Sequence, residues 1–230
     1  MRAMDQVPRQ PTILWQNAWI LAVWKPAGMP VQADPTGDAD LLSWSRAHLG
    51  EPSIQLTHRL DRPVSGVVLF GRSPTATAAL NRCFRDRSVH KVYWAIVEGL
   101  LQGERVIEGM VARDPRSKKA RVLPVVGEEA TALLQVSALA QGERYSLVQV
   151  VPSGGAFHQI RAQLSSAGWP IKGDVKYGAR RGEKDRSIML HARSITFDDP
   201  GTGQRITVVA PAPEGGLWSA LTAGLRERQR

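Results

Sequence analysis

The chain has 230 residues, 43% of them hydrophobic, which is enough to bury a core as one large domain or two subdomains. No run approaches the roughly 18 apolar residues of a membrane span, the N-terminus lacks a secretory apolar core, and the single cysteine, Cys83, excludes an internal disulfide and a cysteine-based zinc site. A cytoplasmic protein is expected, and a net charge of +9 favours a polyanionic partner.

A polar tail runs to about Gln10. Two apolar runs, Thr12–Trp15 and Trp19–Trp24, then predict a hairpin across Gln16-Asn-Ala. Lys25-Pro-Ala-Gly-Met-Pro30 is turn chemistry, with a loop continuing to Asp38. Asp40 can cap a short helix carrying Leu41, Leu42, Trp44 and Leu49. Ile54-Gln-Leu and Val67-Val-Leu-Phe70 are short β-type runs. Between them sit His58, Arg59, Asp61 and Arg62, with Pro63 keeping Asp61 in a turn and Gly66 allowing tight geometry before the second run. A loop braced by two core strands is a common place for a reactive group, although a turn carboxylate beside two arginines is also an ordinary surface feature.

Ser73-Pro74 predicts a helix start, with Ala76, Ala79, Leu80, Cys83 and Phe84 on one face. His90–Val97 is the strongest strand, placing Lys91, Tyr93, Ala95 and Val97 on one side. Arg113–Arg121 reads as a proline-broken loop with five cations to one anion, either merely solvated or suited to phosphate. Strands are expected near Ala132–Leu139 and Tyr145–Val151. From Phe157 to Gly168 the spacing of Phe157, Ile160, Leu164 and Ala167 predicts a helix. At about 100° per residue Arg161 projects near Phe157, on the core-facing half, and His158 lies at the border of that face. A guanidinium there needs an anion. Asp61 is the economical partner, and Asp174, close by in sequence, is its rival. Ile171–Gly178 and Ala179–Arg186 read as loops, the second basic. Met189–Phe197 with Gln204–Ala210 reads as a strand pair, and Leu217, Trp218, Leu221 and Leu225 predict a final amphipathic helix. There is no internal repeat and no low-complexity linker.

Four of these stretches, in order, resemble the motifs of the RluA-type pseudouridine synthases. His58-Arg-Leu-Asp-Arg-Pro-Val-Ser-Gly66 resembles the active-site motif and Lys91–Gly99 the second. His158-Gln-Ile-Arg161 with Gly168–Asp174 and Tyr177-Gly178 resembles the third, and Leu190-His-Ala192 the last. The likeness spans roughly Ile20 to Pro213. It implies an α+β fold, a central mixed, mostly antiparallel sheet with flanking helices, and one catalytic domain over residues 11–230; from the room ahead of the motifs, no separate S4-type RNA-binding module is expected. It also implies isomerisation of uridine to pseudouridine in structured RNA, ribosomal or transfer. Asp61 would be the nucleophile, at C6 of uracil or C1′ of ribose. Tyr93 would stack on the flipped base. Arg161 would pair with Asp61, Arg59 would fill the gap left by the base, and Leu190 would line the pocket. His58, Arg62 and His158 are expected beside the substrate, with Arg116, Lys118, Lys119, Arg121, Lys172 and Lys176 on the RNA backbone. No cofactor and no metal are expected, and a monomer is. Two departures stand out: Ala156 where the family usually has arginine, and Pro63-Val64 in place of a threonine-bearing turn. The first bears on a backbone contact to RNA, and neither touches the catalytic set.

Two other readings compete. The basic loops alone would suit a non-catalytic RNA-binding protein, which gives no reason for an inward Arg161. A metallohydrolase built on His58, His158, His191 and Asp61 has spacings that match no helix-borne metal motif.

Overall fold

The computed structural model describes residues 10–124 and 132–227; the expected N-terminal tail therefore falls almost wholly outside the described residues. The chain divides into two compact units, Met1–Lys91 with His191–Pro213, and Val92–Leu190 with Glu214–Arg230.

In the first unit, β1 (Thr12–Gln16) and β2 (Ile20–Lys25) form the expected antiparallel hairpin, pairing Thr12 with Trp24 and Gln16 with Leu21. All six residues of β2 are buried, which fits an uninterrupted apolar run but includes Lys25. Helix α1 (Leu41–Leu49) starts where Asp40 Oδ1 accepts the Ser43 amide at 2.9 Å, and Gly50 closes it in the left-handed region. A two-residue β3 (Gln55–Leu56) and a fully buried β4 (Ser65–Gly71) flank the Asp61 turn. Helix α2 (Pro74–Arg85) has the expected Ser73 cap and proline in its first turn. The strand β4 pairs antiparallel with β2 and β3, and parallel with β10 (Leu190–Asp198) through Ser65–His191 and Gly66–Ala192. Gly66 has φ 124°, and a Cβ there would lie 2.4 Å from the Ala192 carbonyl oxygen, so this parallel contact requires glycine. The strand β11 (Arg205–Val209) completes the expected hairpin with β10.

The second unit is an antiparallel sheet in the order β5 (His90–Glu98), β9 (Tyr145–Pro152), β8 (Ala132–Gln141), β6 (Glu104–Asp114), β7 (Lys119–Leu123). The Arg113–Arg121 segment, expected as a loop, is the tip of the β6–β7 hairpin, with Arg113 opposite Ala120 and Asp114 opposite Lys119. Asp114 Oδ1 accepts the amides of Arg116 (2.9 Å) and Ser117 (3.4 Å), so the turn is made by an aspartate. Helix α3 (Gln159–Ser166) is shorter than its hydrophobic spacing suggested. Phe157 lies before it and is 38% exposed rather than on the core face, and His158 caps it with φ 54°. The last helix, α4 (Gly216–Glu227), buries Trp218 and Leu221 against Ile96 and Leu147. The antiparallel pairs and the parallel β4–β10 pair, with flanking helices, make the mixed, mostly antiparallel α+β fold that was expected. Among the described residues no helix is long and apolar enough to cross a membrane.

Candidate active site

Asp61 sits, half-buried, in a turn whose first carbonyl, its own, accepts the Val64 amide at 3.0 Å. The turn is gripped from the Lys25–Asp38 loop. Lys25, 0% exposed, donates from Nζ to the carbonyls of Pro26 (2.8 Å), Met29 (2.7 Å) and Arg62 (3.2 Å), placing a cation under the backbone next to Asp61. Burial pulls its pKa down to about 7, while the Asp61 charge pushes the other way. The Arg62 carbonyl also accepts the Gly28 amide at 2.8 Å. The Arg62 guanidinium runs back along the same loop, from Nε to the Gly28 carbonyl (2.9 Å) and from its terminal nitrogens to Asp34 (3.1 Å), Thr36 (2.9 Å) and Asp38. Arg62, expected beside the substrate, is thus a stitch between two loops. Hydrogen bonds from Thr36 and Arg62 hold the carboxyls of Asp34 and Asp38 below the usual range.

His58 is also a brace. Its Nε2 accepts the Leu69 amide at 3.0 Å, which requires a neutral ring, and the ring packs on Phe84 with centroids 4.6 Å apart. Burial, with the Lys91 charge adding to it, pushes its pKa down to about 3. Arg59 is exposed, on the solvent side of the turn. His191 is fully buried, bonded to the Ser65 hydroxyl at 2.9 Å and to the Ala210 carbonyl at 3.4 Å. Nε2 of His58 and both ring nitrogens of His191 are thus engaged within the fold, which leaves little for the metal set of the competing reading. No metal-holding group of three or more His, Cys, Asp or Glu occurs among the described residues.

In the second unit, Tyr93 is half-buried on β5 opposite Val150. Leu190 is 3% exposed, one residue beyond Met189, whose carbonyl accepts the Ile96 amide of β5 at 2.9 Å. Arg161 does project inward from α3 and is 5% exposed. Asp174, itself 1% exposed, binds it: Nε donates to Oδ2 at 2.6 Å and Nη2 to Oδ1 at 2.9 Å. This is a two-pronged, charge-assisted pair. The guanidinium also lies over the ring of Tyr177 at 5.0 Å.

Tyr177, which the sequence offered only as part of a motif, joins three segments. Its hydroxyl accepts the Ala120 amide of β7 at 2.7 Å and is 2.8 Å from Nδ1 of His158, while its carbonyl accepts the Ser165 hydroxyl of α3 at 2.6 Å. His158 in turn stacks on Phe157 (3.7 Å), and Arg113 covers that ring at 4.7 Å. The basic hairpin is therefore docked on the element that carries Arg161. Arg116, Lys118, Lys119 and Arg121 are all exposed at its tip, Arg121 3.1 Å from Asp114, and Lys176 adds a bond to the Lys118 carbonyl at 2.5 Å. Lys172, grouped with them from sequence, is instead paired with Glu183 and its side chain is only 13% exposed.

The model of the RNA pseudouridylate synthase family matches residues 20–166. The chain is 31% identical over 232 residues to the transfer RNA pseudouridine synthase C of Haemophilus influenzae, covering 91% of this chain and 95% of that protein. It is 28% identical to the ribosomal large subunit pseudouridine synthase C of Pasteurella multocida, covering all of this chain and 72% of the relative. Among solved structures, human RNA pseudouridylate synthase domain containing 1 superposes with a TM-score of 0.77 at 26% identity, over 94% of this chain and 90% of that one. The human domain-containing 4 protein, at 23% identity and a TM-score of 0.70, shares the fold. The chain belongs to the RNA pseudouridylate synthase family, as an RluA-type enzyme that isomerises uridine to pseudouridine in RNA.

Proposed function

We propose that the substrate is a structured RNA, in the first instance a transfer RNA, and that Asp61 is the nucleophile. The transfer RNA reading is carried by relatives of that name aligned along most of their own length, 95% in Haemophilus influenzae. Ribosomal RNA is the second reading, supported by the ribosomal large subunit enzyme that aligns with the whole of this chain.

In this account the uridine is turned out of its stack and meets Tyr93, whose aromatic face suits a base. Asp61 attacks C6 of the uracil or C1′ of the ribose. The N1–C1′ bond breaks, the base rotates, a C5–C1′ bond forms, and the proton on C5 passes to N1 or solvent as Asp61 is released. Atoms and electrons balance without an oxidant, so the chemistry needs no cofactor. The single observation that supports Asp61 is its place in the family's active-site motif, in a turn held by Lys25 and Arg62 through backbone and loop contacts. Such bracing keeps a reactive carboxylate where a substrate must find it.

Arg161 is the cation assigned to Asp61 by motif position. Its Nε and Nη2 are already on Asp174, which gives the guanidinium a fixed orientation before any RNA binds. Arg59, exposed on the same turn as Asp61, occupies the space of the extruded base, and Leu190 lines the pocket. The exposed cations Arg116, Lys118, Lys119 and Arg121 bind phosphates. Residues 11–230 act as one catalytic domain, monomeric, metal-free and cytoplasmic.

The test is to incubate the purified protein separately with unmodified transfer RNA and large-subunit ribosomal RNA transcripts and to map pseudouridine at single-nucleotide resolution. A discrete modified site in the transfer RNA is expected. A site only in the ribosomal transcript selects the second reading, and no site in either contradicts both.

A further inference from the structure

The basic loop Ala179–Arg186 has no part in the site above, and neither does Arg144 in the β8–β9 turn. They meet at a groove of about 590 Å³ in the second unit, lined by Glu98, Arg144, Pro170, Lys172, Arg180 and Arg181, with Tyr145 in one wall. We infer that this groove is a second RNA-backbone site, which takes sugar-phosphate units beyond the target nucleotide; the inference rests on the enzyme's acting on RNA.

Its walls are tied to one another, so the groove is built before a ligand arrives. The Gly99 amide donates to the Arg144 carbonyl, the Glu98 amide to the Pro170 carbonyl and the Lys172 amide to the Ile96 carbonyl, each at 2.9 Å. The Arg180 amide donates to Glu98 Oε1 at 3.0 Å, which fixes the basic loop to the end of β5.

The charges are unequal in a way that leaves two cations to spare. Glu98 is engaged by Arg180, through its amide and more loosely through Nε at 3.9 Å, and Glu183 is engaged by Lys172. Among the described residues no ion pair neutralises Arg144 or Arg181, and both are exposed. The carbonyl end of α3 also approaches this groove and would repel an anion. That effect is blunted, because the carbonyls of Gln163, Leu164 and Ser165 are taken by the amides of Ala167, Trp169 and Gly168 at 2.9–3.0 Å.

Position and width select the ligand. Glu98 is five residues beyond Tyr93 on the same strand, or about 17 Å along it, too far for the nucleotide being modified and near enough for others in the same molecule. The groove is wider than one inorganic phosphate needs, and its spare charges are guanidiniums, which grip phosphate oxygens two at a time. A polyanionic backbone fits these features better than a small anion.

The test uses the double variant Arg144→Ala/Arg181→Ala in the full chain, with an unmodified transfer RNA transcript and the large-subunit transcript as probes. Both side chains are exposed, so a wild-type melting temperature is expected. On the RNA that the wild type modifies, the variant's Kd should rise roughly tenfold and the slope of log K against log salt should fall by about 1.4–1.8, while turnover at saturating RNA stays within about twofold. The charge-matched control Lys184→Ala/Arg186→Ala, in the same loop but outside the groove, should keep the wild-type slope. A groove variant with wild-type Kd and slope, or a control that loses as much, overturns the inference while leaving pseudouridine formation intact. A wild-type protein that modified neither transcript would instead remove the reading on which the groove rests.

Discussion

The two halves of the proposed catalytic set are held in different ways. Around Asp61 the backbone is fixed: Lys25 and Arg62 grip carbonyls and loop carboxylates, and the Asp61 side chain remains half-buried. Around Arg161 the side chain is fixed: a buried carboxylate takes two of its nitrogens and a tyrosine ring lies beneath it. A nucleophile has to meet a carbon at a set distance and angle, so a backbone held from both sides suits it. A cation that only orients gains from being immobile. Breaking each brace should therefore fail differently.

The largest effect is expected at the Arg161 pair. Arg161→Met leaves Asp174 as a buried charge without its bidentate partner, and breaking such a pair typically costs about 3–5 kcal/mol. Turnover should fall at least a hundredfold and the melting temperature should drop clearly. Asp174→Asn should share the stability loss, and Arg161→Met/Asp174→Asn should be more stable than the two singles together imply. Additivity within about 0.5 kcal/mol would show that the pair is not the brace described. A parallel cycle between Arg161 and Asp61 measures whether they are coupled as the motif positions imply.

Lys25→Met tests the other side. Three carbonyls lose their buried donor and the turn loosens, so the rate should fall roughly ten- to a hundredfold through misplacement of Asp61. RNA affinity should change far less than the rate. A variant with wild-type turnover would mean that the Asp61 turn holds itself.

The acid side of the stability profile sharpens the same contrast. His58 and His191 have folded pKa values near 3, against 6.5 when unexposed to these surroundings. The unfolded chain therefore binds more protons between those values, and stability is lost as pH falls through that window. Two such groups cost about 2 kcal/mol between pH 6 and pH 5. Urea unfolding at those two pH values should show that drop, and His58→Gln/His191→Gln should flatten it.

The smallest effect is expected from Tyr177→Phe, which keeps the ring beneath Arg161 and removes the acceptor of the buried Ala120 amide. The cost is about 1–3 kcal/mol. RNA Kd should rise a few-fold as the basic hairpin loosens, with turnover at saturation within about threefold. A larger loss of turnover than of affinity would assign the hydroxyl to Arg161 rather than to the hairpin.

Much of this arrangement was legible before the fold, and its limits have physical causes. Helical spacing put Arg161 inside for only part of the right reason: the stripe it used began at the exposed Phe157, whereas all of Gln159–Leu164 is buried in α3. It could not show that Asp174 binds Arg161, since Asp174 reaches it through a loop whose path is set by the 3-10 turn Val175–Tyr177 and by bonds to β5. Lys25 read as turn chemistry because lysines are seldom buried; its three acceptors are backbone carbonyls, which no side-chain pattern reveals. The strand β6 was missed because most of its residues are exposed or half-buried, so it lacks an apolar run, and Pro115 at its end looked like the middle of a loop. Phe157 fitted a helical stripe but lies before α3, where His158 turns the chain with positive φ.

The most direct test of the account is Asp61→Asn, which keeps the size of the side chain and removes its charge, assayed on the RNA that the wild type modifies. The expected result is a folded protein that binds this RNA as the wild type does and forms no detectable pseudouridine. Activity within tenfold of wild type would contradict it and remove Asp61 from the nucleophile's role.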